Sequence, residues 1–291
     1  MPFRDLLLIL VICLAWGMNF VAAARGMQQF APFLYTLVRF LCVLLVLTPF
    51  LRWPPAGQWP RMIFVCLCIG SLHFTSLFWA LSLSSDVSSV AITQQTYIPI
   101  ALILAVVILG ERVGWKSWLA VTVAFSGVMV LSFDPMIMKQ WHVVGIALMS
   151  ALFHALGSVY MRGITGIGVL NFQAWTAVIS IPVLLVATLL TESGQWQMMA
   201  SADWVDWSTI VYSAFIASIM GHGLFYFLVQ RHPVSTIMPF LLLTPLAAVG
   251  FGILIWGDRP GPRLLIGGFL VLTGILVVTL RSRAKLVKVT Q

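Results

Sequence analysis

The sequence predicts an all-α membrane protein of ten transmembrane helices, arranged as two inverted five-helix repeats. Three observations lead there. Hydrophobic residues make up 61% of the 291 positions and charged residues only 8%, against about 25% charge in soluble domains. Such a chain cannot cover a water-facing surface, so lipid is its solvent. The apolar residues fall in about ten continuous runs of spanning length, roughly 20 residues each. Finally, Gly110-Glu111-Arg112 closes one apolar run and precedes another, and Gly257-Asp258-Arg259 does the same 147 positions later. Twice that offset nearly equals the chain length, the mark of a duplication. Five spans per copy is an odd number, so the second copy enters the membrane from the opposite side.

The expected spans cover residues 4–24, 33–51, 61–81, 88–109, 116–132, 143–161, 172–190, 208–229, 235–256 and 263–280. Their runs are continuous rather than alternating, which argues against transmembrane strands. The first repeat is expected over 1–140 and the second over 141–291. Ala15-Trp16-Gly17-Met18-Asn19-Phe20 in span one aligns loosely with Ala155-Leu156-Gly157-Ser158-Val159-Tyr160 in span six, which adds to the case for duplication. Span one could be read as a signal peptide ending at Ala22-Ala23-Ala24, but its apolar stretch is span-length.

Charge sets the expected orientation. With the N-terminus inside and sides alternating, Arg4, Arg52, Arg61, Arg112, Lys116, Arg162, Arg231 and the basic residues from Arg281 to Lys288 fall inside, whereas Arg25, Lys139, Arg259 and Arg263 fall outside. Basic residues favour the cytoplasmic side, so both termini are expected there, in a multi-pass cell inner membrane protein. The net charge of +8 does not indicate nucleic acid, because the basic residues are scattered over loops.

Polar residues at membrane depth usually face a cavity or a partner helix, because an unpaired polar group in hydrocarbon is costly. Arg39, His73, His154 and His222 lie within spans, and no Asp or Glu does. Histidine, with an ordinary pKa near 6.5, could carry protons; movement down a gradient is the other option. Ser218, His222 and Tyr226 share a face of span eight, Ser150, His154 and Ser158 a face of span six, and His73 and Ser76 a face of span three. Each stripe either lines a water-filled path or glues helices together. Trp16 and Asn19 face alike on span one, offering a flat stacking surface and an amide. Most of the twelve tryptophans lie near span ends and form an interfacial belt. Trp79 and Trp175 are candidates for cavity or belt alike, and Tyr97 and Phe240 could add aromatic wall.

Gln94 and Gln95 precede Pro99 on span four, and Thr244 precedes Pro245 on span nine. Proline removes a backbone hydrogen bond and kinks a helix, so Pro99 and Pro245 are candidate hinges beside polar groups. The alternative is a kink needed only for packing. Arg39 could attract a substrate carboxylate, snorkel, or cap carbonyls. Glu111, Arg112, Asp258 and Arg259 sit at span junctions, as caps or as gate latches. Small residues on spans five and ten (Ala120, Ala124, Gly127, Gly267, Gly274) suit close helix contact. They point to scaffold or dimer helices rather than cavity walls, in a monomer or a homodimer through those spans.

The string Trp16 to Phe20, the pair Arg39-Phe40, and the two proline-to-acid runs each followed by a glycine-bearing span resemble the drug/metabolite transporter superfamily, in its ten-helix branch with two EamA-type repeats. The resemblance spans the whole chain. It implies export of amino acids and other small metabolites, and some members resemble aromatic amino acid exporters. The second half departs from the pattern: no arginine matches Arg39, and Asp258 stands where glutamate is commoner. The leading expectation is therefore a secondary transporter that alternates access around a midplane cavity. An intramembrane hydrolase would need a serine–histidine pair such as Ser218 and His222, yet no acid lies in a span to orient the base, and neither a nucleophile elbow nor an HExxH motif is present. A channel or scaffold is the third reading, against which the doubled kinks argue. No cofactor is expected, and no nucleotide-binding GxxxxGK[ST] loop occurs.

Overall fold

The computed structural model describes residues 1–84, 90, 93–111, 113–132, 141–256, 266, 269, 270 and 273. Arg112, Asp258, Arg259 and most of the expected tenth span lie outside the described residues. The described chain is helical, with no strand. Its long helices are α1 (Phe3–Gly26), α2 (Pro32–Leu47, extended by a 3₁₀ turn to Phe50), α3 (Trp59–Leu83), α4 (Tyr97–Leu109), α5 (Trp115–Ser132), α6 (Trp141–Met161), α7 (Val169–Thr191), α8 (Trp204–Arg231) and α9 (Val234–Ile255). Seven of them, α1 to α3 and α6 to α9, are long and apolar enough to cross a membrane; α4 is a shorter apolar helix of 13 residues.

The helices pack as two groups of three. In one, α1 lies against α8 and α9; in the other, α6 lies against α3 and α4. Helices α2 and α7 pack on each other and touch both groups, while α4 meets the first half of α9. Glycines permit the closest approaches. A Cβ on Gly17 would stand 2.7 Å from Cβ of Ala247, and one on Gly157 would collide with the Ile69 side chain, so backbones come nearly into contact as small interfacial residues allow.

Two helices are interrupted in the same way. The sequence places kinks at Pro99 and Pro245, and the chain turns three to four residues before each, at Gln95-Thr96 and at Leu242. A proline ring displaces the carbonyl four residues upstream, which belongs to Gln95 in one case and Leu241 in the other. The helix restarts at Tyr97 and at Leu243, with the proline in its first turn, where its missing N–H is harmless. Both α3 and α8 also widen into π-helical turns, Leu67–Leu72 and Tyr212–His222. The wide turn of α8 brings the Ser218 hydroxyl to the carbonyl of Ser213, five residues back, at 2.8 Å.

Carboxylates fasten the helix ends. Gly110 terminates α4 in the left-handed region, φ +66°, and the next amide, Glu111 N–H, donates to Ala105 O at 3.1 Å, a six-residue closure typical of glycine caps. This turn aims the Glu111 carboxylate at the start of α9, where it accepts from Val234 N–H, Ser235 N–H (each 3.0 Å) and the Ser235 hydroxyl (2.6 Å). Glu192, beyond α7, does the same for α2: its oxygens accept from Phe33 N–H at 2.7 Å and Leu34 N–H at 2.9 Å. The first amides of a helix lack intrahelical partners, and an anion there also meets the positive end of the helix dipole. Glu192→Ala is expected to strip α2 of these bonds, to cost about 1–2 kcal/mol, and to lower the thermal unfolding midpoint in detergent, with Glu192→Gln intermediate.

Candidate functional site

Between the two groups of three helices lies a cavity. Its walls come from α1 (Trp16, Asn19, Phe20), α3 (His73, Phe74, Leu77, Phe78), the turn before α4 and its first residue (Gln94, Gln95, Tyr97), α6 (His154), α8 (His222) and α9 (Thr244). The interruptions in α4 and α9 thus deliver polar side chains to it. A smaller space adjoins, lined by Phe40, Val43, Ile69, Phe74, Gln173, Thr176, Ser218, His222 and Tyr226. Phe74 and His222 belong to both walls.

The inner wall is a cluster of aromatic and imidazole rings. His154 lies parallel to Tyr97, centroids 4.3 Å apart and planes at 12°. His73 is 4.5 Å from His154, and Trp16 is 4.6 Å from His222 and 6.0 Å from His154. Trp16 is seated on the wide turn of α8: its indole N–H donates to Ala217 O at 3.2 Å, and Gly221 leaves the room, since a Cβ there would stand 2.8 Å from the indole nitrogen. His73 is tied to α6. The Ser150 hydroxyl donates to His73 O at 2.9 Å, and so receives the His73 Nδ1–H at 2.8 Å.

Other polar atoms have no partner in the protein. Both amide atoms of Gln94, Nδ1 of His154 and of His222, and Oγ1 of Thr244 are buried without a hydrogen bond. Burying such atoms unpaired costs about 1–3 kcal/mol each, so the wall presents donors and acceptors to whatever enters. No aspartate or glutamate lines either space among the described residues, and no cluster of His, Cys, Asp or Glu suited to a metal ion occurs among them.

Of the residues singled out from the sequence, Trp16, Asn19, His73, Gln94, Gln95, Tyr97, His154 and His222 meet at the larger cavity, and Ser218, His222 and Tyr226 at the smaller. Asn19 is also engaged by its neighbours, its Oδ1 accepting from Ser213 Oγ at 2.6 Å. Three residues stand elsewhere. Trp79 is 42% exposed and meets Phe33 edge-on at 6.3 Å. Trp175 donates to Arg52 O at 2.9 Å and clusters with Trp53 and Trp59 at one end of the bundle. Phe240 is buried in the apolar core rather than on a cavity wall. Of the serines in the stripes, Ser150 joins helices and Ser158 bonds back to its own helix, donating to His154 O at 2.7 Å. Sequence reasoning missed Phe20, Phe74, Leu77 and Phe78; the spacing of Phe74 and Phe78, one and five positions after His73, was the available signal.

At one end of the bundle side chains bridge the two groups. Glu111 reaches across from α4 to α9, the Arg162 guanidinium donates to His232 O, and Arg162 Nε lies 3.8 Å from Glu111. His232 Nε2 is 2.6 Å from Asp5 Oδ2, tying the α8–α9 loop to the start of α1.

The model of the EamA-like transporter family matches residues 4–133 and again 142–280. A protein of Escherichia coli strain K12 named "Probable amino-acid metabolite efflux pump" is 26% identical, over 94% of each chain. A protein of Streptantibioticus cattleyicolor named "Probable terminal-alkyne amino-acid exporter" is 26% identical over 79% of this chain and 76% of its own length. A solved crystal structure superposes with a TM-score of 0.78 at 17% identity, over 98% of this chain and 99% of that one; it shares the fold. In a background without the four native cysteines, Gln94→Cys and Thr244→Cys are expected to react with a small charged thiol reagent about tenfold or more faster than Phe172→Cys in the apolar core. Equal rates would show that water does not reach the cavity.

Proposed function

Because the chain belongs to the EamA-like transporter family, it is a multi-pass membrane transporter rather than an enzyme, and we propose that it exports amino acids or related small metabolites by alternating access. The observation that carries this reading is the ring-walled cavity enclosed between the two helix groups. The names of the relatives in Escherichia coli and Streptantibioticus cattleyicolor support export of amino-acid compounds. The rings of Trp16, Tyr97 and the imidazoles favour solutes with a planar or apolar side chain, aromatic amino acids among them.

In this reading, ten spans form two inverted repeats, 1–140 and 141–291, with both termini cytoplasmic in the inner membrane. The packing supports it: exchanging each helix for the one five later turns the α1–α8–α9 group into the α6–α3–α4 group and returns α2–α7 and α4–α9 to themselves. Each moving group then mixes helices from both repeats. Rocking one group against the other opens the cavity to alternate sides, with the interruptions before Pro99 and Pro245 as hinges. Glu111 is the cytoplasmic latch, since Asp5, Glu111, Arg162 and His232 all fall on the inner side of this topology. Arg112, Asp258 and Arg259 would complete the junctions, and spans five and ten would serve as scaffold or dimer contact.

Proteoliposomes containing the purified protein are expected to release labelled amino acids with saturable kinetics, fastest for aromatic members of a panel. Non-saturating flux would favour a channel instead. Glu111→Ala is expected to weaken inward closure, so that a cysteine at Thr244 becomes several-fold more reactive from the cytoplasmic face; unchanged reactivity would remove Glu111 from the gate.

A further inference from the structure

The most unusual group in the bundle is Arg39. Its side chain is wholly buried in the middle of α2. Nε donates to Ser218 Oγ at 2.7 Å, and the guanidinium carbon lies 4.0 Å above the Phe74 ring, with Phe40 and Phe78 at 5.9 and 5.8 Å. Both terminal nitrogens, Nη1 and Nη2, lack any hydrogen-bond partner. Arg39 has no ion pair among the described residues; the ion pairs there lie at helix ends and use Arg25, Arg162 and His232. A guanidinium keeps its charge, and a buried charge without a counter-ion is strongly disfavoured unless something pairs with it. One hydroxyl and an aromatic face return only part of that cost.

From this we infer that Arg39 is the carboxylate-recognition residue of the transport cavity, and that the substrate class is defined by a free carboxylate and not by a free ammonium group. The inference rests on the transporter reading and deepens it. The two free Nη atoms form a planar fork that matches the two oxygens of a carboxylate. Arg39 itself lines neither space; Phe74 lines both and Ser218 the smaller, so the fork lies one side chain behind the wall they share. Phe74 covers its face, so the fork is reached where that ring turns aside. The opposite charge has no match: with no acid on either wall among the described residues, an ammonium group would find only amides, hydroxyls, imidazoles and aromatic faces. Masking the amine of an amino acid therefore costs little, whereas masking its carboxylate removes the one charge-assisted contact. N-acylated amino acids are thus expected to be accepted alongside the parent compounds, and amino acid amides rejected.

The test is binding to the purified full-length protein, read as ligand-induced thermal stabilisation. It uses matched sets of free acid, N-acetyl acid and amide derived from phenylalanine, leucine and methionine. For the wild type, the acid and N-acetyl acid should bind within a few-fold of each other and the amide about tenfold or more weaker. Arg39→Gln should erase the acid-over-amide preference, and Arg39→Lys should retain part of it. Equal or tighter binding of the amides to the wild type would overturn the proposal without relying on any variant. So would rejection of the N-acetyl acids, a preference that survives in a folded Arg39→Gln protein, or no binding by any member of the sets. Binding without saturable transport would instead count against the transporter reading and leave the recognition chemistry standing.

Discussion

Most of the polar architecture hangs on one contact, the hydrogen bond from the Arg39 guanidinium to the Ser218 hydroxyl. Hydrocarbon offers nothing to a cation, so the protein must house it. The same hydroxyl donates to Ser213 O, and the Ser213 hydroxyl donates to Asn19 Oδ1. The Tyr35 hydroxyl lies 2.6 Å from Ser213 Oγ and 2.9 Å from Thr209 O. Helices α1, α2 and α8 are thereby laced together by one chain of side chains. The wide turn of α8 makes this possible, because it sets Ser218 five residues beyond the carbonyl it uses. It also provides the seat for Trp16, so the position of the cavity's aromatic wall follows from the same distortion. Departures from α-helical winding into π geometry are often found at functional sites.

Much of the fold was legible because the bilayer simplifies the code. Span-length apolar runs located eight of the helices to within a few residues, and the repeated proline-to-acid pattern pointed to α4 and α9 as the unusual pair. The stripes of Ser and His lie on α3, α6 and α8, each of which supplies a histidine to the cavity wall. The rest was hidden because it depends on partners distant in sequence. Nothing local distinguishes His154, which faces open space, from Ser158 on the same stripe, which bonds its own backbone. Trp175 and Trp16 are the same residue type, yet one finds Arg52 O at the bundle end and the other finds a π-helical turn. The π segments leave no composition signal. The role of Glu192 could not be read either, since α2, which it caps, lies about 160 residues upstream.

The two prolines illustrate how a local rule can be right about cause and inexact about place. Steric conflict acts on the carbonyl four residues upstream, so the chain yields at Gln95 and at Leu242 rather than at the proline itself. That displacement matters to the site. It puts Gln94, Gln95 and Tyr97 at the turn, where their side chains and loosened backbone face the cavity, whereas a bend at Pro99 would have left them within a regular helix.

The interleaved packing also bears on how the chain is made. Trp16 on α1 docks on Ala217, 201 positions later, and α9 follows later still. The nascent α1 therefore leaves the ribosome long before the surfaces that will cover it exist. Until then lipid must shelter Trp16 and Asn19, and the amide must make do with transient partners. Biogenesis of this architecture is thus a waiting problem: its first helix is stored in the membrane as an orphan, and the final assembly is sealed only when the last third of the polypeptide arrives.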